Sequence, residues 1–369
     1  MKKINILVII MLMVFALTSC KNKKDYFKSW NDCDSLKTLI AYVEDVTNEK
    51  SPNFIPVEDR IATFDMDGTF IGELYPSYFE YNLLEYRVLD DPSYKDIAPD
   101  DVKETAMDIR RFVREGKKLP DHFDMKHAYA AAKAYSGMTL KEFDEYVKAY
   151  ARKNANGFTN LTYGDAFYKP MLEVFKYLED NGFTYYVVSG SDRYICRAIV
   201  EPIGIPSNRV IGMDVVLKSD NQGDTEGVNY TYQVTDTLIR TDELIIKNLK
   251  TNKVKQIAQE IGKVPVLSFG NSGGDSAMHN YCLSNEKYKT LAFMLIADDD
   301  VRDHANREKA LGLKEDWIKA NYVVISMRDD FKTIYGEDVE KVDFIFDNVI
   351  TTSSSIYDKL IINTGYQTA

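Results

Sequence analysis

Cysteine and histidine are scarce in this sequence, four of each, and their placement excludes the chemistry they most often signal. Cys20, Cys33, Cys196 and Cys282 stand far apart, so there is no zinc-site pairing and no dense disulfide framework. Cys33, Cys196 and Cys282 are expected to be isolated small apolar residues. His122, His127, His279 and His304 share no metal-ligand spacing, and surface or supporting roles are expected of them. Positive charge is also short: 46 Lys and Arg stand against 57 Asp and Glu, a formal net charge of −11, which argues against a nucleic-acid backbone as partner. Nor does a hydrophobic run reach the roughly 20 residues that cross a bilayer. What remains, 45% hydrophobic and 28% charged over 369 residues, is a globular chain with one large domain carrying an insertion, or two domains.

The one early apolar run, Ile6 to Leu17, follows Lys2 and Lys3 and reads as a secretory signal. It closes with "LTSC", Leu17 to Cys20. This resembles the lipobox of bacterial lipoproteins, which implies removal of residues 1–19, lipid on Cys20 as the membrane anchor, and an address in the bacterial cell envelope. An ordinary cleaved signal or an uncleaved anchor is the alternative. Lys21, Lys23 and Lys24 would begin a polar tether.

Residues from about Asp25 to Val46 predict an amphipathic helix, and Arg60 to Asp65 a buried strand closed by the turn formers Asp67 and Gly68. Helical patterns follow. "APDDVKETAMDIRRFVREG" repeats Val102, Ala106, Ile109 and Val113 on one face and stops at Gly116. "MTLKEFDEYVKAY" opens with Thr139 and Glu142 in capping-box spacing. No strand is expected between about Ser77 and Gly164. Beyond that, helices and strands alternate: a helix with Pro170 near its start, the strand "FTYYVVSGS", a helix from Asp192, a hairpin of "NRVIGMDVVL" with "VNYTYQV", a helix around Lys253, the strand "VPVLSFG" and the strand "TLAFMLIA". Such alternation predicts an α/β fold, a doubly wound parallel sheet with the helical segment inserted after the first strand.

Parallel sheets bind ligands beyond the carboxyl ends of their strands. The segments there are Asp65-Met66-Asp67-Gly68-Thr69, Ser189-Gly190-Ser191 and Gly270-Asn271-Ser272-Gly273-Gly274-Asp275, with Lys253 in the helix before the last. Carboxylates, hydroxyls, a carboxamide, free backbone N–H groups and one ammonium suit a phosphoryl group beside a hard cation such as Mg2+.

In this order "DMDGT", "VVSGS", Lys253 and "GNSGGD" resemble the haloacid dehalogenase superfamily, in particular phosphatases similar to phosphoserine and phosphocholine phosphatases. The resemblance spans Arg60 to Asp275 by motif and extends to about Tyr335 by strand pattern. It implies a Rossmann-like core with a helical cap, and a magnesium-dependent phosphomonoester hydrolase acting through an aspartyl-phosphate on a small phosphorylated metabolite. Asp65 would be the nucleophile, Asp67 the acid and base, and Ser189 and Lys253 the holders of the phosphoryl group, helped by the turns of Gly68, Thr69 and Gly190. Magnesium would sit on Asp65, the Asp67 carbonyl, Asn271 and Asp275. Many members carry Asp where Asn271 stands, and a neutral amide supplies less charge. The implied division is 1–19 signal, 20–54 tether and helix, 55–76 with 165–350 core, 77–164 cap, and 351–369 tail.

Competing readings are weaker. "DMDGT" lacks the further acids of an EF-hand, "GNSGGDS" lacks the Lys of a P-loop, and Ser189 lacks the Gly-x-Ser-x-Gly frame of a serine hydrolase. A dehalogenase of the same fold would not need Asp67, and a surface lipoprotein acting only as a binding module would not need Asp65, Asp67 and Lys253 together. The aromatics Tyr75, Tyr78, Phe79 and Tyr81 are expected to pack helices rather than cage a quaternary ammonium. Asp298, Asp299 and Asp300 are expected in a solvated loop.

Overall fold

The computed structural model describes residues 26–346 and, in a short strand, 349–351; the signal, Cys20 and residues 352–369 lie outside them. A seven-stranded sheet runs through the molecule in the order β4-β3-β2-β1-β5-β6-β7. Its strands are β1 (Ile61–Phe64), β2 (Thr184–Asp192), β3 (Val210–Ser219), β4 (Leu238–Ile246), β5 (Leu267–Gly270), β6 (Leu291–Ile296) and β7 (Val323–Ser326). All neighbours are parallel except β3 and β4. Both central strands are wholly buried, as a parallel sheet covered on two faces requires. Phe64, Phe269 and Phe293, one each from β1, β5 and β6, stack with centroids 4.3 and 4.8 Å apart.

Chain order reverses at β1. From it the chain builds outward through β2 and β3, then returns to add β5, β6 and β7 on the other side. This reversal opens a crevice between the loops leaving β1 and β5, and the Asp65 N–H bond to the Phe269 carbonyl, 2.9 Å, ties those loops together.

Helix α1 (Asp34–Thr47) lays Leu39, Tyr42, Val43 and Val46 on the core. It begins later than the sequence pattern predicts, because residues 26–33 form turns that seat Phe27 and Trp30, the indole donating to the Pro170 carbonyl. Between β1 and β2 lie α2 (Phe79–Glu85), α3 (Asp100–Glu115), α4 (Phe123–Ala134) and α5 (Leu140–Ala151), with no named strand among them. Thr139 and Glu142 form the expected capping box, and Gly116 ends α3 in the left-handed conformation. Then come α6 (Lys169–Asp180), α7 (Arg193–Val200), α8 (Thr251–Glu260), α9 (Ser276–Leu283) and α10 (Arg307–Lys319). Among the described residues no helix is long and apolar enough to cross a membrane.

The inserted helices dock on the β3–β4 extension, α4 against β4 and α5 against α7. Backbone bonds of 2.9 Å join Gly137 N–H to the Arg240 carbonyl and Arg240 N–H to the Met138 carbonyl. The fully buried Arg240 guanidinium pairs with Asp192 and lies 4.0 Å from the Phe143 ring centroid.

One predicted strand is displaced. "VNYTYQV" does not pair with β3; the partner is "LIRTDELII". The Asp236 carboxylate gathers the Gln233 N–H, the Tyr230 hydroxyl and the Asn221 amide into a knotted turn, while Val228 and Val234 find nothing to pack against and stay exposed. Of the surface or supporting roles expected of the histidines, the surface one is excluded for His127, His279 and His304, which are buried. So are Asp298 and Asp299, which bind Ser326 and Arg302 instead of lying in a solvated loop.

Candidate active site

The segments picked out from the sequence meet at the carboxyl ends of β1, β2 and β5, but Ser189-Gly190-Ser191, expected as a turn, belongs to the last residues of β2 itself. Asp65 follows β1 directly. Its Oδ1 accepts from the Lys253 ammonium at 2.5 Å, and the same ammonium donates to Asp275 Oδ1 at 2.7 Å. Lys253 lies in the first turn of α8 and is buried, so among four neighbouring lysines it is the one that reaches both carboxylates.

Asp275 closes the loop after β5. Its Oδ2 accepts from the backbone N–H groups of Asn271 and Ser272, both 3.1 Å, and from the Ser272 hydroxyl. These donors separate it from Asp65. Burial raises both carboxyls, but Lys253 and the loop donors outweigh burial at Asp275 and hold it below the ordinary range; at Asp65, burial and the nearby Asp275 charge win over Lys253 and push it up.

Asp67 occupies a different setting. Its Oδ2 accepts from the Ser191 hydroxyl at 2.8 Å, while Oδ1 is buried with no partner among the described residues. Burial pushes its carboxyl up to about 6, against the lowering effect of Ser191. Asp67 and Ile71 bridge, and the Gly68 N–H donates to the Ile71 carbonyl at 2.7 Å, which fixes the turn.

Gly68 has φ of +74°, and a Cβ there would fall 2.0 Å from Asn271 Nδ2 and 2.6 Å from Glu73 Oε2. Only glycine serves this position. Thr69 is fully buried beneath the turn, its backbone N–H bonded to the Met66 carbonyl. Ser189 is buried, with its Oγ accepting from the Ser191 N–H at 3.1 Å and its carbonyl accepting from Asn248 at 2.9 Å. A Cβ on Gly190 would strike Leu249 at 2.5 Å, so this end of β2 too is built around a missing side chain.

Sequence reasoning missed three residues. Glu73 lies beside the nucleophile turn, where its Oε2 accepts from Asn271 Nδ2 at 3.1 Å, and burial followed by the Asp67 charge pushes it up to about 8. Glu80, on α2, accepts from Lys247 at 2.8 Å and from the Asp192 N–H at 3.2 Å, with His127 at 3.7 Å. Burial opposes ionisation of Glu80, yet Lys247 and His127 prevail and leave it below the ordinary value. Glu73 gave no local signal, its partner Asn271 being 198 positions away, and Lys247 was visible only as one of several lysines. Tyr75, Phe79 and Tyr81 are packed in the core, as expected for helix packing.

No group of three or more His, Cys, Asp or Glu among the described residues is arranged to hold a metal by itself. Magnesium does not need one, since it commonly takes one or two carboxylates, neutral oxygens, waters and substrate phosphate. Asp65 and the Asn271 amide supply oxygen donors of that kind.

The sequence matches no protein-family model, and no curated protein matches it. Solved structures share distant similarity. A conserved protein of unknown function from Anaerococcus prevotii is 16% identical, with 82% of this chain and 94% of that one covered and a TM-score of 0.49. A phosphoserine phosphohydrolase-like protein from Francisella tularensis is 14% identical over 72% and 94%, with a TM-score of 0.38. Cytosolic 5′-nucleotidase IIIB bound to cytidine is 14% identical over 83% and 87%, with a TM-score of 0.44. Likenesses this remote carry no argument about activity.

Proposed function

We propose that the protein is a magnesium-dependent phosphomonoester hydrolase of the haloacid dehalogenase type, working through an aspartyl-phosphate at Asp65. The observation that carries the reading is the unequal contact of two acids on one turn: Asp65 touches an ammonium, whereas Asp67 has only a hydroxyl partner. Different partners suit different roles, nucleophile at the ammonium and proton carrier away from it.

In this mechanism an Asp65 oxygen attacks phosphorus, the bond to the leaving oxygen breaks, and Asp67 gives that oxygen its proton. Water then attacks the same phosphorus, Asp67 takes the water's proton, and the bond between Asp65 and phosphorus breaks to release inorganic phosphate. Lys253 offsets charge on Asp65 and the phosphoryl group, and Asp275 holds Lys253 in place. The Ser189 hydroxyl would donate to a phosphoryl oxygen. Magnesium, when bound, would be held by Asp65, the Asp67 carbonyl and Asn271, and would neutralise charge on the transferred group. The helices α2–α5 inserted after β1 would cover the leaving group in this reading, so selectivity would belong to them. The substrate is a small phosphoester, and phosphoserine- and phosphocholine-like compounds are the first to test. The net charge of −11 makes nucleic acid a poor partner. By the same reading the chain is exported and anchored through lipid on Cys20; Cys20→Ser should abolish metabolic labelling with palmitate.

The test is phosphate release from an aryl phosphate and a panel of natural phosphomonoesters by the full-length protein in mild detergent, with magnesium or with EDTA. Release that needs magnesium supports the reading. No release from any substrate, with the protein folded, would overturn it.

A further inference from the structure

Charge at the ends of β1 and β5 does not balance. Asp65, Asp67 and Asp275 are buried there with Glu73 half-buried beside them, and Lys253 is the cation in direct contact with any of them among the described residues. Both its contacts go to Asp65 and Asp275. Asp67 is left with a serine hydroxyl and Glu73 with an amide, while the Lys309 charge reaches Glu73 from farther away. Buried carboxylates in such excess call for a cation. A second observation points to the same place: Asp67 is 7% exposed, and its Oδ1 has no partner among the described residues.

Glu73 and Asn271 form a unit at this spot. The bond from Asn271 Nδ2 to Glu73 Oε2, 3.1 Å, uses the nitrogen end of the amide, so the oxygen end faces elsewhere. Both side chains press on the backbone of Gly68, the residue after Asp67. An amide oxygen is a competent ligand for a hard cation but brings no charge; a carboxylate directly behind it supplies that charge and fixes its orientation.

We propose that Glu73 belongs to the divalent-cation site, holding Asn271 so that its oxygen is presented and supplying the negative charge the amide lacks. The inference rests on the magnesium-dependent reading above and adds to it a residue that the motifs do not contain. Glu73 is a positioning residue here, acting on the cation through Asn271.

The probe is Mn2+ alone, with free ion counted by electron paramagnetic resonance on full-length protein in detergent without substrate. Glu73→Gln should weaken binding by about 10- to 100-fold, the range for partners that orient metal ligands. Adding Asn271→Asp to that variant should restore affinity, because the charge returns on the ligand itself. If Glu73→Gln fails to fold, Asn271→Leu reads the same unit, with a loss of about tenfold or more expected. Wild-type Mn2+ affinity in Glu73→Gln or Asn271→Leu, or no restoration in the double variant, overturns the inference. So does a rise in KM with Mn2+ affinity intact, which would place Glu73 on the substrate. Phosphate release measured alongside separates the two levels. A wild type that hydrolyses with magnesium while Glu73→Gln binds Mn2+ normally sinks this inference alone; a wild type that neither binds Mn2+ nor releases phosphate sinks both.

Discussion

At the scale of single residues, the site is a set of buried charges whose neighbours decide their protonation. Asp67 in the metal-free protein has a carboxyl near 6 instead of the usual 3.8, so the folded state binds its proton more tightly than the unfolded state does. Its stabilising contribution is complete below the unfolded value and fades as pH rises through 6. Asp67→Asn, which never ionises, should therefore gain stability over wild type between about pH 4 and 6, levelling off near 3 kcal/mol; urea unfolding in EDTA at several pH values measures this. The same substitution should remove most turnover, since the leaving oxygen loses its proton source. Lys253→Met has the opposite stability effect. It leaves Asp65 and Asp275 buried without a counter-charge, and loss of one partner from such a pair costs about 3–5 kcal/mol, visible as a lower urea midpoint, with hydrolysis abolished. Gly68→Ala should preserve circular dichroism yet eliminate phosphate release, because its Cβ lands on Asn271 and Glu73.

At the scale of elements, two devices hold the inserted helices over the strand ends. Arg240 of β4 lies over the Phe143 ring of α5, and Glu80 of α2 reaches Lys247 and the Asp192 backbone. Lys247→Met should destabilise the protein by about 3–5 kcal/mol by stranding Glu80, and pairing it with Glu80→Leu should recover most of that loss; a double-mutant cycle in urea unfolding tests it. The elements that carried local signals were legible in the sequence. Thr139 and Glu142 announced α5, Gly116 the end of α3, and the apolar run from Ile61 the central strand. Strand β4 was not, because its interior reads Arg-Thr-Asp-Glu, and the burial that makes Arg240 acceptable comes from Asp192 and Phe143, distant in sequence. Glu73 escaped notice for the same reason: its significance lies in Asn271, 198 positions away.

At the scale of the molecule, the strand order that reverses at β1 brings together turns that are far apart along the chain. The motif residues Asp65, Asp67, Ser189, Lys253 and Asp275 could be named beforehand because each sits at the end of a recognisable strand or the start of a helix. The contacts among them, above all Lys253 bridging Asp65 and Asp275, depend on that topology. The central claim is that Asp65 is the nucleophile, and the most direct test is chemical trapping. Full-length protein mixed with an aryl phosphate and magnesium, then quenched with borohydride, should carry homoserine in place of Asp65 on mass spectrometry, and EDTA should prevent it. Phosphate release with Asp65 left unmodified, or with the label on another residue, would contradict the account.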